Sequence, residues 1–316
     1  MSEGRPVVVI ADPIDAKAVG RLSAGGCQVV DATSGTPALE AALPNAWGLV
    51  VRSRTRVTEG LMSRAPNLRI VARAGVGVDN VDLAVASRRS IQVVNAPTAA
   101  SASVAELTVA FCLLLVRDLV GRIESTRAGT WERSGQGGEL ANRSVGFVGY
   151  GRIAREAARR LTPFGVSLRA YDPYVKRVDD GTLLLSLDEL LAQSDIVSLH
   201  AALTPENHHL INAERIGRMR RGAYLINVAR GPLVEETALL AALTSGQIGG
   251  AALDVFEIEP PTNAELLRHP HVIPTPHLGA STREAQARAG SQVVDELLRA
   301  VRGEPLQALA NPSTGV

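Results

Sequence analysis

Short apolar runs, separated by polar stretches that carry glycine or proline, set the rhythm of the first third of the chain. Val7–Ile10, Val29–Val30, Leu49–Val51, Arg69–Val71 and Ile91–Val94 are brief β-branched or apolar segments. The gaps between them are long enough for helices, which predicts alternating strands and helices around a mostly parallel sheet. A longer apolar stretch runs from Leu107 to Val116, and Ser103 with Glu106 three residues on has the spacing of a capping box. The strand pattern then resumes at Val145–Val148, Ser167–Tyr171, Ile196–Leu199, Ala223–Val228, Gly250–Val255 and Val272–Pro274. Ser186 and Glu189 predict the cap of a helix ending near Gln193, and Gly246 is expected to stop a helix running from Glu235 to Leu243. Ser281 with Glu284 is expected to open a last long helix. Its Ala285, Ala289, Val293, Leu297 and Val301 recur at helical spacing and predict one packed face.

A chain of 316 residues, 46% of them hydrophobic, suits two domains. The proline-bearing joints at Asn95–Pro97 and Pro274–Pro276 are the hinge candidates. A last helix that packs back across the second hinge makes the first domain discontinuous. The expected division is 1–97 plus 281–316 for one domain and 98–280 for the other.

One of the strands ends in a distinctive turn. Val145–Val148 leads into Gly149–Tyr150–Gly151–Arg152–Ile153–Ala154 and then an Arg- and Ala-rich helical stretch. Gly149 permits a tight turn, and Gly151 leaves room for a pyrophosphate to approach the backbone at a helix N-terminus. Ala154 stands at the third glycine position, which the looser form of the pattern allows. Asp172 closes the following strand, where an acid accepts both adenine-ribose hydroxyls and repels a 2′-phosphate, favouring NAD over NADP. An ordinary α/β turn followed by a solvated aspartate is the other reading of the same residues.

Charge and composition narrow the field. The net charge of +1 disfavours an electrostatic platform for nucleic acid or an anionic membrane. All but two of the 33 basic residues are arginine, Lys17 and Lys176 being the exceptions, a bias with no function attached to it. Cys27 and Cys112 sit in apolar surroundings far apart and imply neither a disulfide framework nor a thiolate metal site. No basic-then-apolar leader is seen, and Leu107–Val116 is half the length that spanning a bilayer needs. A soluble, cytoplasmic protein is expected.

Hydride transfer to or from a carbonyl needs an acid/base, a cation that orients and polarises the substrate, and access to a nicotinamide. Arg230 follows the strand Ala223–Val228 and precedes Gly231–Pro232. Glu259 lies in the loop after the strand carrying Asp254, beside Pro260–Pro261. His277 follows Pro276 and precedes Leu278–Gly279–Ala280. Taken singly, these are equally a fold-holding arginine, a solvated loop acid and a turn histidine. A carboxylate paired with His277 would stabilise its imidazolium form. His200, at a strand end, is expected to line the pocket; His208 and His209 read as exposed, and His269 and His271 as loop residues beside Pro270. The histidine spacing fits no tight metal site, so no metal is expected. Arg52–Ser53–Arg54 follows one early strand, and Arg73 to Asn80, with Gly75 and Gly77, follows the next. Arg52 and Arg54 are candidates for a carboxylate or phosphate, and the backbone N–H groups around Gly75 for a carboxylate. A solvated charge run beside a glycine-rich turn is the competing reading.

Several stretches together carry a resemblance. RAGVGVDNVD from Arg73 to Asp82, GYGRI from Gly149, Leu203–Thr204–Pro205–Glu206, NVARG from Asn227, AALDVFEIEP from Ala251 and PHLGAST from Pro276 resemble the D-isomer-specific 2-hydroxyacid dehydrogenase family. The similarity covers nearly the full length and is nearest to the phosphoglycerate dehydrogenase branch. It implies an α/β protein of two Rossmann-like or flavodoxin-like domains with parallel sheets and the active site in the interdomain cleft. It further implies NAD-dependent oxidation of a small D-2-hydroxy acid, or the reverse, with 3-phospho-D-glycerate to 3-phosphohydroxypyruvate as the leading pair. Glycerate, glyoxylate, hydroxypyruvate or another 2-oxo acid is the alternative, and an NAD(H)-sensing, corepressor-like interaction protein is the alternative of another class.

In that scheme His277 takes the hydroxyl proton, Arg230 binds the substrate carboxylate and reacting oxygen, and Glu259 supports the protonated His277. Gly149, Gly151, Arg152, Ile153, Asp172, His200, Thr204, Val228, Ala229, Arg230, Asp254, His277, Gly279 and Ala280 fall to the cofactor. Arg52, Arg54, Ala74, Gly75 and Val76 join Arg230 and His277 at the substrate. A homodimer formed through the nucleotide-binding domain, with the Trp131 loop contributing, or a tetramer is expected. Val76 replaces a threonine frequent in the branch, and Ala202 a proline; neither removes a catalytic group. The chain stops soon after its last helix, so the serine-sensing domain of longer members, and feedback through it, is not expected.

Overall fold

The structure, a computed structural model, describes residues 4–131, 133 and 135–311. The tips of the expected first domain, 1–3 and 312–316, lie outside them. The chain divides into two compact units, Met1–Ala100 with Ala280–Val316, and Ser101–Gly279.

The first unit is built on five parallel strands: β1 (Val7–Ile10), β2 (Gln28–Asp31), β3 (Gly48–Val51), β4 (Ile70–Arg73) and β5 (Gln92–Val94). Their order is β2-β1-β3-β4-β5. β1 and β3 are central, and their near-continuous Val, Leu and Ile content is what a strand covered on both faces requires. One face packs Val9, Leu49, Val51 and Val71 against Leu61, Met62 and Val85. The other packs Val8, Ile10, Val50 and Ile70 against Leu22 of the helix Ala16–Ala24 and Ala289, Val293 and Leu297 of the helix Arg283–Val301. That last helix starts one residue later than its sequence signal suggests. Thr282, not Ser281, is the cap, its hydroxyl accepting from the Ala285 N–H at 3.1 Å. Ion pairing of Arg21 with Asp295 also joins the two helices.

The second unit holds seven parallel strands: β6 (Ser144–Val148), β7 (Ser167–Tyr171), β8 (Leu183–Leu184), β9 (Ile196–Leu199), β10 (Ala223–Asn227), β11 (Ile248–Leu253) and β12 (Val272–Pro274). They are ordered β12-β11-β10-β9-β6-β7-β8. From β6 the chain builds outward on one side to β8, then returns to β9 on the other side of β6. The C-terminal ends of β6 and β9 therefore flank the point where the winding reverses, the crevice in which open α/β sheets bind ligands. The helix Ser101–Val116 begins two residues before Ser103, and Ser103 is buried in its first turns. The expected Ser103–Glu106 capping box is therefore absent. β8 is a two-residue edge strand, too short to give a period-two signal in sequence. Among the described residues, no helix is long and apolar enough to cross a membrane.

Leu297 is fully buried in the first unit's core beside Trp47, and the only other tryptophan, Trp131, is exposed in the second unit. Replacing Leu297 by Ala is expected to cost about 2–5 kcal/mol. Urea denaturation followed by tryptophan emission checks this; an unchanged midpoint of the Trp47 transition would contradict the packing.

Candidate active site

Because the seven strands of the second unit are parallel, all their C-terminal ends lie on one edge of the sheet. That edge gathers Gly149–Gly151 after β6, Asp172 after β7, His200 after β9, Val228–Arg230 after β10, Asp254–Glu259 after β11 and Thr275–Gly279 after β12.

At Gly149 the backbone turns through φ 86°, and a Cβ there would meet the Ala201 N at 2.7 Å, so only glycine fits between the ends of β6 and β9. At Gly151, by contrast, nothing lies within 4 Å of where a Cβ would stand. Gly151 is also the N-cap of the ten-residue helix Arg152–Leu161 and offers no side chain to its first N–H groups. An open space at bare helix N–H groups, with exposed Arg152 beside it, suits a dinucleotide pyrophosphate. Ile153 is half-buried, and Ala154 is fully buried against the sheet. Asp172 accepts the Tyr150 N–H at 2.8 Å and the Tyr174 N–H at 2.9 Å, which fixes its carboxylate at the end of β7. These residues fit NAD, which the Gly149–Gly151 turn and Asp172 would hold.

His200 has its Nε2 2.8 Å from the Ser198 hydroxyl and its ring 5.5 Å from that of Phe147. Burial pushes it down to about 3, so the imidazole is neutral at ordinary pH. Thr204 is exposed, and its N–H donates to Asn207 Oδ1 at 2.7 Å.

Three loops carry the candidate chemistry. The Asn227 side chain, buried at the end of β10, accepts the Ala229 N–H at 3.1 Å and donates to the Arg230 carbonyl at 2.9 Å. It thereby shapes Val228–Arg230 as a tight loop. Gly231 then presses on the next loop: a Cβ there would overlap the Phe256 carbonyl. Glu236 and Glu257 exchange bonds, each carboxylate accepting the other's N–H at 2.8–2.9 Å. Burial, and then the neighbouring Glu257 charge, hold the Glu236 carboxyl above its usual range. His209 Nε2 lies 3.2 Å from Glu257 Oε1, and its N–H donates to the Pro232 carbonyl. His209 is thus half-buried in the support of these loops rather than exposed, whereas His208 is exposed. His269 Nδ1 accepts the His271 N–H at 3.2 Å within their own loop.

The third loop hangs on Asp254, 1% exposed. Its Oδ1 accepts the Thr275 hydroxyl at 2.6 Å and the Leu278 N–H at 2.8 Å, and its Oδ2 the Gly279 N–H at 2.8 Å. His277 stands between these anchors in the left-handed region (φ 50°), a conformation that a non-glycine residue adopts at a cost. Its Nδ1 lies 2.8 Å from Glu259 Oε2. Glu259 Oε1 in turn accepts the Phe256 N–H at 3.3 Å. The pairing leaves Nε2 as the ring nitrogen directed to a ligand. Among the described residues no group of three or more His, Cys, Asp or Glu is arranged to hold a metal ion.

The chain's relatives can now be set beside this geometry. Residues 109–279 match the family described as "D-isomer specific 2-hydroxyacid dehydrogenase, NAD binding domain". This chain belongs to the D-isomer-specific 2-hydroxyacid dehydrogenase family. It is 44% identical over 319 residues to a D-3-phosphoglycerate dehydrogenase of Mycobacterium tuberculosis, covering 98% of this chain and 60% of that protein. The chain therefore spans about 60% of the length of that curated relative. Among solved structures it resembles the TT0316 protein of Thermus thermophilus, with TM-score 0.87 and 35% identity over 96% of this chain and 99% of that one. It also resembles a D-lactate dehydrogenase of Aquifex aeolicus solved with NAD and lactic acid, with TM-score 0.80 and 32% identity over 94% and 96% of the two chains.

The family-like motifs of the first unit have their own geometry. Buried Asp12 accepts the Arg52 N–H at 2.6 Å, the Thr55 N–H at 3.1 Å, the Thr55 hydroxyl at 2.7 Å and Arg54 Nε at 3.2 Å. Burial pushes that carboxyl up, but these bonds outweigh it and hold it below its usual range. Arg54 also donates to the Ala11 and Thr33 carbonyls at 3.1 Å, so its guanidinium knits together the loops after β1, β2 and β3. The Arg52 side chain makes no such bond within its unit among the described residues. The Ala74 N–H donates to the Val51 carbonyl and the Gly75 N–H to the Arg73 carbonyl, both at 2.8 Å. Two of the N–H groups expected to hold a carboxylate are therefore engaged by the chain itself. The Val76 carbonyl accepts the Asn95 side chain at 2.6 Å.

A testable consequence concerns His200. Its unfolded value is about 6.5 and its folded value about 3, so between those pH values the unfolded chain binds the extra proton. The His200 contribution to stability is thus complete above about pH 6.5 and declines as pH falls through that window. An NMR titration is expected to show its ring resonances unchanged from about pH 8 to about pH 4.5; an inflection near pH 6.5 would contradict the neutral ring.

Proposed function

We propose that this protein is an NAD-dependent oxidoreductase that interconverts a small D-2-hydroxy acid and its 2-oxo acid, with 3-phospho-D-glycerate and 3-phosphohydroxypyruvate the leading pair. The observation that carries the reading is the His277–Glu259 pair, 2.8 Å apart, on the same sheet edge as the Gly149–Gly151 turn. The NAD-binding family match over residues 109–279 and the phosphoglycerate dehydrogenase relative support it.

When bound, NAD supplies a hydride acceptor for C2 of the hydroxy acid, and its reduced form a donor for the reverse reaction. His277 Nε2 takes the hydroxyl proton as C2 becomes a carbonyl carbon, and returns it on reduction. Glu259, bonded to Nδ1, keeps the ring oriented and balances the positive charge that the proton brings. Arg230 binds the substrate carboxylate and polarises the reacting oxygen, its loop shaped by Asn227. Asp254 holds the His277 loop in place from within, by way of Thr275, Leu278 and Gly279. In the first unit, Arg52 is assigned to the substrate's phosphate and, the Ala74 and Gly75 N–H groups being engaged within the chain, the Val76 N–H to its carboxylate. Arg54, which gives Nε to Asp12 and Nη2 to two carbonyls, shapes that loop. A homodimer is the assembly that accompanies this reading.

Replacing His277 by Ala is expected to lower kcat by about 10²- to 10⁴-fold, the usual worth of a positioned general acid–base. NADH affinity, measured by fluorescence titration, is expected to stay within about threefold, since the ring sits at the reacting end of the cofactor. Undiminished turnover would sink the assignment. A panel of D-2-hydroxy and 2-oxo acids decides the substrate: 3-phosphoglycerate is expected to give the highest kcat/KM, by about tenfold or more over glycerate and lactate if a phosphate–arginine contact adds about 1.4 kcal/mol. D-Lactate oxidised equally well would remove the phosphate assignment and leave the reaction class standing.

A further inference from the structure

One residue, whose side chain is used by none of the roles above, fastens both ends of the loop between β7 and β8. Tyr150 is the middle residue of the glycine turn, and its side chain is fully buried. Its N–H donates to Asp172 Oδ2 at 2.8 Å, where the loop begins. Its hydroxyl donates to Asp180 Oδ2 at 2.7 Å and lies 2.7 Å from Thr182 Oγ1, where the loop ends. A phenol has one proton, so with Asp180 as its acceptor the Tyr150 oxygen receives the Thr182 hydroxyl. Asp180 Oδ1 also accepts the Thr182 N–H at 3.1 Å. Arg155 closes the arrangement from the following helix, with Nε donating to the Tyr150 carbonyl at 3.2 Å and its guanidinium 4.8 Å from the ring centroid. Burial pushes the Tyr150 phenol up to about 12, so it keeps the proton it donates. Burial also pushes the Asp180 carboxyl up, but the bonds from Tyr150 and Thr182 outweigh it and keep it ionised.

The loop so held carries both signs of charge. Asp172 stands at its start, while Lys176 and Arg177 lie further along, Lys176 turned back on the Pro173 carbonyl at 3.0 Å. An acid at the end of the second strand repels a ribose 2′-phosphate only if it cannot swing aside and let a cation take its place. We propose that Tyr150 is a specificity-determining positioning residue: by clasping both ends of the 172–182 loop it holds Asp172 in place, which selects a dinucleotide with a free adenine-ribose 2′-hydroxyl over one with a 2′-phosphate. This rests on the NAD reading of the glycine turn.

Tyr150→Phe retains the ring and its contacts and removes only the hydroxyl. In the cofactor-free protein, amide hydrogen exchange across residues 174–182 is expected to quicken by about tenfold, the scale of one lost net hydrogen bond. The NADH Kd, read by fluorescence titration, is expected to rise about three- to tenfold while the NADPH Kd holds or falls. At saturating NADH, kcat is expected to stay within about twofold, because no reacting atom is touched. Thr182→Val, which keeps the shape and removes the partner hydroxyl, should lower the NADH preference in the same direction. The double variant should add little to Tyr150→Phe. An NADH-to-NADPH preference unchanged in Tyr150→Phe overturns the proposal, as does an unchanged preference in Thr182→Val should the first variant not fold. Wild-type protein that binds neither nucleotide would instead overturn the cofactor reading beneath it.

Discussion

The arrangement of loops at the candidate site of the second unit depends on one buried carboxylate. Asp254 sits at the end of β11 almost without solvent contact, and it accepts three bonds from Thr275, Leu278 and Gly279. An isolated buried charge is expensive, so the surrounding chain must supply donors, and the donors available are those of the loop after β12. Meeting that demand fixes the loop at both sides of His277 and holds its backbone in the left-handed region. Glu259 then meets Nδ1 from the loop after the same strand that carries Asp254. Without Asp254, the His277 loop would lose three of its ties beside β11 and keep the bond from the Thr275 N–H to the Leu253 carbonyl.

The neighbouring loops repeat this logic with other groups. Asn227 satisfies the backbone on either side of Arg230, Gly231 lets that loop press against Phe256, and the Glu236–Glu257 exchange ties both to the helix that follows. Each strand of the parallel sheet delivers its loop to the same edge, so short local bonds are enough to assemble groups far apart in sequence. At the other side of the winding reversal, Gly149 and Gly151 keep the backbone bare at a helix N-terminus, while Tyr150 between them turns inward and holds the adjoining loop.

Much of this was legible because parallel, doubly covered strands require continuous β-branched and apolar runs. β1, β7, β9 and β12 coincide with their sequence signals, and the others, β8 apart, differ by one residue at an end or, at β4 and β11, by up to two. Caps were less legible. Ser281 and Thr282 both have the side chain for the task, and only the chain path selects Thr282; Ser103 has a cap's spacing but lies inside a helix that starts at Ser101. β8 carries too few residues to show a period. The arginines after β3 read as free cations, yet Arg54 belongs to Asp12, in the loop after β1, a pairing that no local pattern reveals. Asn227, Glu236, Glu257 and His209 went unrecognised for the same reason, since their importance lies in contacts between loops. A buried polar residue at a strand end, as at Asn227 and Asp254, is the one signal that points to such supports.

The central claim is that this sheet edge moves a hydride between C2 of a D-2-hydroxy acid and NAD while His277 moves the proton. Its most direct measurement is to supply NAD with D-2-hydroxy acids deuterated at C2 and follow the label by mass spectrometry, alongside the absorbance of the reduced nicotinamide. The account predicts one deuterium on the reduced nicotinamide for every 2-oxo acid formed, with the L-isomers inert. Reduced cofactor without deuterium, or label moving equally well from the L-isomer, would contradict it.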